Sequence, residues 1–127
     1  MKLSEAILLG SIGSEQGFGI TSAYQDAKAK CAIGSALLGV GKEANSNDGN
    51  PYQILVNEWP WVMTKIEIPE FSVAGPYVER NVMNAIWLLN DIYKWPRPKI
   101  AAWIAELEAI YDPQPTPIEV PCEVTTT

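Results

Sequence analysis

Residues 78–111 constrain the fold of this chain most, because two helices and the joint between them can be read there directly. The stretch runs VERNVMNAIWLLNDIYKWPRPKIAAWIAELEAIY. Val78, Val82, Ala85, Ile86 and Leu89 recur at helical spacing, and Pro76 suits a first turn, so a helix is expected from near Pro76. Ile100, Trp103, Ile104, Leu107 and Ile110 form a second stripe, predicting a helix from about Arg97 to Ile110. Pro96 and Pro98 cost little in its first turn, where the missing N–H groups have no intrahelical partner.

The joint reads as a structural lock made by Asn90, Asp91, Trp95 and Arg97. Asparagine tolerates the left-handed conformation that ends helices. A carboxylate at Asp91 would accept from the free N–H groups of the next helix or pair with Arg97. A catalytic aspartate is the competing reading, but no partner acid, base or nucleophile stands beside it in sequence.

Upstream, MKLSEAILLG predicts a short helix with Ser4 as N-cap, a Leu3–Leu8 staple and a stop at Gly10. The glycine-rich run Gly10–Gly19 lacks the Gly-Lys-Ser/Thr ending of a phosphate loop and reads as a plain loop. A second helix is expected from Asp26 or later to about Val40. Its small residues Ala32, Gly34, Ser35, Ala36 and Gly39 suit close packing against another element, with a ligand groove as the alternative. NSNDGN, Asn45–Asn50, fails the register of a calcium loop. Pro51 opens a third helix that Trp59-Pro60-Trp61 closes. Lys65–Ile68 alternates like a strand, at most an isolated one or part of a short ribbon, stopped by Pro69. Trp59, Trp61 and Trp103 form a candidate interaction surface, since tryptophan is enriched in binding hot spots; for the Trp-Pro-Trp pair, the lid of a small core is the stronger reading.

The chain of 127 residues thus reads as one mainly α domain over residues 1–111, with about five short helices in a compact bundle with long loops. An extended, proline-rich, acidic arm is expected over residues 112–127. A hydrophobic fraction of 47% with 19% charged residues is that of a folded chain. The net charge of −6 disfavours nucleic acid and anionic membrane surfaces. No apolar run approaches the ~20 residues of a membrane helix, and Ala6–Leu9 is too short for the apolar core of a secretory signal. A cytoplasmic, reduced setting is the default expectation.

There is no histidine, which removes the commonest general base and transition-metal ligand together. Cys31 and Cys122 lie far apart; they read as a buried thiol and a free thiol, with a disulfide as the alternative. No cofactor or metal is expected, and no motif points to a small-molecule ligand.

Leu3 to Gly10, Cys31-Ala32-Ile33-Gly34-Ser35-Ala36, Trp59-Pro60-Trp61, and Leu89-Asn90-Asp91 through Trp95, Arg97, Ile100, Ala101 and Trp103 together form a pattern. It resembles a family of small uncharacterised proteins from bacteria, phages and prophages, with motifs "LSEAI-LG", "CA[LI]G-A", "WPW" and "LND---W-R--IA-W", in the same order over about residues 3–108. Relatives often carry a CPxC and histidines flanking LND, which implies a cysteine–histidine site in them. Here Leu88 and Tyr93 stand at the histidine positions, and Ile68-Pro69-Glu70-Phe71 is the counterpart of the cysteine pair. The resemblance thus implies a hydrophobic cluster in place of a metal.

It also implies provenance rather than an activity. Three functions remain as expectations. The first is a non-enzymatic phage-type accessory or virion component that binds protein or self-associates. The second is a helix-turn-helix-like regulator, with Arg97 and Lys99 facing phosphate. The third is an enzyme with carboxylates such as Asp91, Glu58, Glu67 or Glu70 converging in a cleft.

Overall fold

The computed structural model describes residues 1–24, 26–42, 50–67 and 79–112. The expected arm beyond Asp112, Cys122, most of the Asn45–Asn50 loop and the Ile68–Phe71 segment lie outside the described residues. The fold is mainly α. Among the described residues, five helices, α1 (Leu3–Ser11), α2 (Ala32–Gly39), α3 (Pro51–Glu58), α4 (Val82–Asp91) and α5 (Arg97–Tyr111), stand with two small β pairs and two 3-10 turns, Ile20–Ala23 and Pro60–Met63. Strands β1 (Glu15–Gln16) and β2 (Ala29–Lys30) pair in parallel; β3 (Lys65–Glu67) and β4 (Glu79–Asn81) pair antiparallel, with Ile66 opposite Arg80. Among the described residues no helix is long and apolar enough to cross a membrane.

Local chemistry sets the helix ends. Asn50 caps α3, its Oδ1 accepting from Tyr52 N at 2.8 Å, with Pro51 in the first turn. Asn81 does the same for α4, accepting from Asn84 N at 2.7 Å. This cap explains why α4 starts at Val82 and not near Pro76: Glu79–Asn81 is held extended against β3, and Val82 N donates to Thr64 O. Cys31 caps α2, its Sγ accepting from Gly34 N at 3.4 Å, so that helix is shorter than its apolar pattern suggests.

Helix α1 departs from expectation in its caps. Lys2 holds the N-cap position, its N–H donating to Glu5 Oε1 at 3.0 Å. Ser4 sits inside the first turn, where its N–H (2.8 Å) and hydroxyl (2.6 Å) both donate to the buried Glu108 carboxylate of α5. A negative group at a helix N-terminus is favourable both through hydrogen bonds and through the helix dipole. No Leu3–Leu8 staple forms: Leu3 is in the core, whereas Leu8 is 45% exposed. Gly10 does not stop the helix either, because its role is tertiary.

Helices α1 and α2 cross with unusually close backbones. A Cβ added at Gly10 would fall on the Ser35 carbonyl, and one added at Gly39 would lie 2.3 Å from Ala6 O. Ala6 faces Gly39 while Gly10 faces Ser35, so the two helices run antiparallel, each presenting small residues four apart. The small residues of α2 are therefore spent on helix packing. On its other flank Gly34 lies under Ser22, where a Cβ would come within 2.5 Å of the carbonyl. Around this crossing Leu3, Ile7, Ile33, Leu37, Leu55, Val62, Val82, Ile86, Leu89, Ile100 and Ile104 are buried in one core. Each such side chain contributes about 1.5–3 kcal/mol by leaving water.

Candidate functional site

The polar residues singled out at the α4–α5 joint reach mainly into the other half of the molecule, with one bond between neighbours, Asn90 to Asp91. Asn90 is 1% exposed and lies within α4. Its Oδ1 accepts from Gln16 Nε2 (3.0 Å) and from Ala32 N (3.1 Å); its Nδ2 donates to Gly17 O (2.9 Å) and to Asp91 Oδ1 (2.8 Å). All four places of the amide are filled. It thereby fastens the end of α4 to β1 and to the first turn of α2. Gln16 extends the tie by donating to Trp95 O at 2.7 Å.

Arg97, 6% exposed at the start of α5, reaches the same region from the other side. It donates to Ser14 Oγ (2.9 Å), Ser35 Oγ (3.0 Å) and Lys30 O (3.2 Å), and to the carbonyls of Ser11 and Ser14. Its acceptors are carbonyl and hydroxyl oxygens, with no carboxylate among them. Burial pulls the guanidinium below its usual value, and the field of Cys31 opposes that. The side chain stays charged all the same, because arginine starts so high.

Three details of the expected lock change. The left-handed residue at the joint is Lys94, at φ 55°, and not Asn90. Asp91 neither caps α5, whose N-cap is Pro96, nor pairs with Arg97; it accepts from Asn90. Trp95 contributes through its carbonyl and through its ring, over which Lys99 Nζ sits at 4.1 Å. The lock therefore fixes α4 and α5 to the α1–β1–β2–α2 half of the molecule rather than setting the angle between the two helices alone. Of the residues that complete it, Ser35 stands out in sequence only for its small size, and Ser14 and Gln16 carry no signal, since neither side chain names a partner far along the chain.

Burial also corrects the interaction surface. Trp59 and Trp61 are 3% and 6% exposed, and Trp59 Nε1 donates to Met1 O at 3.0 Å. Trp61 Nε1 is buried and has no hydrogen-bond partner among the described residues, which costs about 1–3 kcal/mol. Trp103 is half-buried against the core. A core this small needs such large side chains, so the pair around Pro60 serves as its lid. Leu88 is buried and Tyr93 packs on the core. Cys31 is a free, buried thiol.

The accessible feature lies elsewhere. Tyr52 of α3 and Met83, Asn84 and Trp87 of α4 line an open cleft of about 410 Å³, within the size range of ligand pockets. Trp87 is 38% exposed. Asp91 lies one helical turn beyond Trp87 on the same face of α4. Burial pushes the Tyr52 phenol up to about 12, with the fields of Cys31, Asp91 and Tyr24 adding. Tyr52 is thus a neutral hydrogen-bond donor at physiological pH. Because its folded value lies above the ordinary 10, the stability it contributes is complete below pH 10 and is lost as the pH rises towards about 12. In an ultraviolet phenolate titration of the folded protein, one tyrosine should ionise late, and Tyr52→Phe should remove that step. Persistence of the late step in Tyr52→Phe would contradict the assignment.

Among the described residues, no three of Cys, Asp and Glu gather into a metal-binding group. Glu58 pairs with Lys42 at 3.0 Å. Glu70 and the side chain of Glu67 lie outside the described residues. No protein-family model, curated protein or solved structure matches the chain.

Proposed function

We propose that the chain is a non-enzymatic protein-binding domain of the phage or prophage type its motifs resemble, acting as an accessory factor or virion component in the host cytoplasm or the particle. One observation carries this reading. The buried polar side chains of Asn90, Arg97 and Glu108 face inward and hold the fold, while large apolar side chains stand on the surface. Leu8, Leu9 and Ile12 lie together on the outer side and end of α1, and Trp87 borders the cleft. Exposed apolar groups in clusters of this kind favour protein contact.

The two other readings have less behind them. A helix-turn-helix regulator needs basic groups on α5, but Arg97 is buried and Lys99 lies on Trp95. An enzyme needs convergent carboxylates, but those of Asp91 and Glu58 are engaged with Asn90 and Lys42.

The test combines light scattering of the purified chain, mass spectrometry of released particles and in-cell crosslinking. Self-association, a place in the particle, or one reproducible crosslinked protein is the expected result. A strict monomer that is absent from particles and crosslinks to nothing would overturn the reading.

A further inference from the structure

The basic side chains beside the α4–α5 joint are each held by the protein's own groups. Lys94 Nζ lies 4.2 Å from the centre of the Phe18 ring and donates to Asp91 O, and Lys99 lies over Trp95. Among the described residues, no cation stands over Trp87 or Tyr52, which border the cleft between α3 and α4. The described lining residues carry no charge: a phenol, an indole, a thioether and an amide. Asp91 stands one helical turn beyond Trp87 on α4, near enough for its field to reach Tyr52. Its Oδ1 accepts from Asn90, and its carboxylate makes no ion pair among the described residues.

We infer that the cleft of Tyr52, Met83, Asn84 and Trp87 receives a basic side chain of a partner protein, an arginine or lysine whose charge lies against the aromatic faces and towards Asp91. This rests on the protein-binding reading above and names the chemistry of the partner. Three physical features favour a cation over a neutral or anionic group. Aromatic faces carry negative electrostatic potential and attract cations, tryptophan most strongly. Trp87 and Asp91 lie one turn apart on one helix face, so a long cationic side chain can address both. The chain as a whole carries a net charge of −6, which steers basic partners towards it and repels acidic ones. The side-chain amide of Asn84, on the exposed side of α4, offers an oxygen to a guanidinium or ammonium N–H. The stem of an arginine or lysine is apolar and suits the thioether of Met83.

The experiment uses the full chain labelled with nitrogen-15 and three capped peptides that differ at one central residue: arginine, citrulline or norleucine. The Trp87 indole resonance is assigned by its absence in Trp87→Phe. The arginine peptide should shift that resonance saturably. Its affinity should fall about fivefold in Trp87→Ala and about threefold in Asp91→Asn, and should weaken as salt is raised. Asp91→Asn keeps the oxygen that accepts from Asn90, and Trp87 is a surface residue, so both variants should remain folded. Equal binding of the citrulline or norleucine peptide would overturn the cation while leaving protein binding intact. No shift with any peptide, or a shift unaffected by Trp87→Ala, would remove the cleft as the site. Neither outcome touches the crosslinking and particle results, which test the broader reading separately.

Discussion

Gly10→Ala is expected to cost at least about 3 kcal/mol, more than overpacking a side-chain core usually does. The added methyl meets the Ser35 carbonyl, which is backbone and cannot rotate away. Relief requires α1 and α2 to separate, and that would pull Gly39 from Ala6 and Ser35 from Arg97. The opposite sign would hold for a solvent-facing helical glycine, where alanine gains about 1 kcal/mol of helix propensity. Thermal unfolding monitored by circular dichroism should show the midpoint falling by roughly 10 °C or more. A change of less than about 2 °C would mean that the helices are not in backbone contact.

Arg97→Met should be nearly as damaging, at about 3–5 kcal/mol. Methionine keeps an unbranched apolar stem but ends short of the guanidinium and offers no donor. The carbonyls of Ser11, Ser14 and Lys30 and the hydroxyls of Ser14 and Ser35 would lose their common partner, and of these residues Lys30 and Ser35 are buried. Removing a buried cation returns some of its desolvation cost, which is why the loss is smaller than the number of bonds suggests. Arg97→Lys should recover only part of the stability, because an ammonium has three donors and cannot span acceptors spread around a planar fork. Urea unfolding at neutral pH measures both variants. A lysine variant as stable as the parent would contradict the multidentate role.

Much of this architecture can be read from residue patterns. The helices α3 and α5 track their apolar periodicity closely, α4 does so from Val82 on, and the small residues of α2 pack as their size suggests. The boundaries that moved did so for tertiary reasons. Ser4 looks like an N-cap in sequence, but Glu108, far along the chain, draws it into the first turn. Strand β4 occupies residues that carry helical periodicity, because β3 pairs with them and Asn81 caps α4 immediately after. The two-residue strands β1 and β2 are too short for any alternation to show.

The joint residues illustrate the same limit. Asn90 and Arg97 stand out in sequence as special, but their partners lie on α1, β1, β2 and α2, and no local rule names them. The tryptophans mislead in the opposite direction: their enrichment at interfaces suggests a surface, but a small core claims Trp59 and Trp61 first. Trp87, on the exposed side of its helix stripe, is the one at the cleft.

The central claim is that the α4–α5 joint locks the two halves of the molecule together through Asn90. Amide hydrogen exchange at Ala32 tests it most directly. Ala32 opens α2, and an amide at that position has no intrahelical acceptor, so without the lock it exchanges within the time of helix fraying. Its N–H donates instead to Asn90 Oδ1. The Ala32 amide should therefore exchange as slowly as the central core amides, at the rate set by global unfolding. Exchange as fast as that of a frayed helix end would contradict the lock.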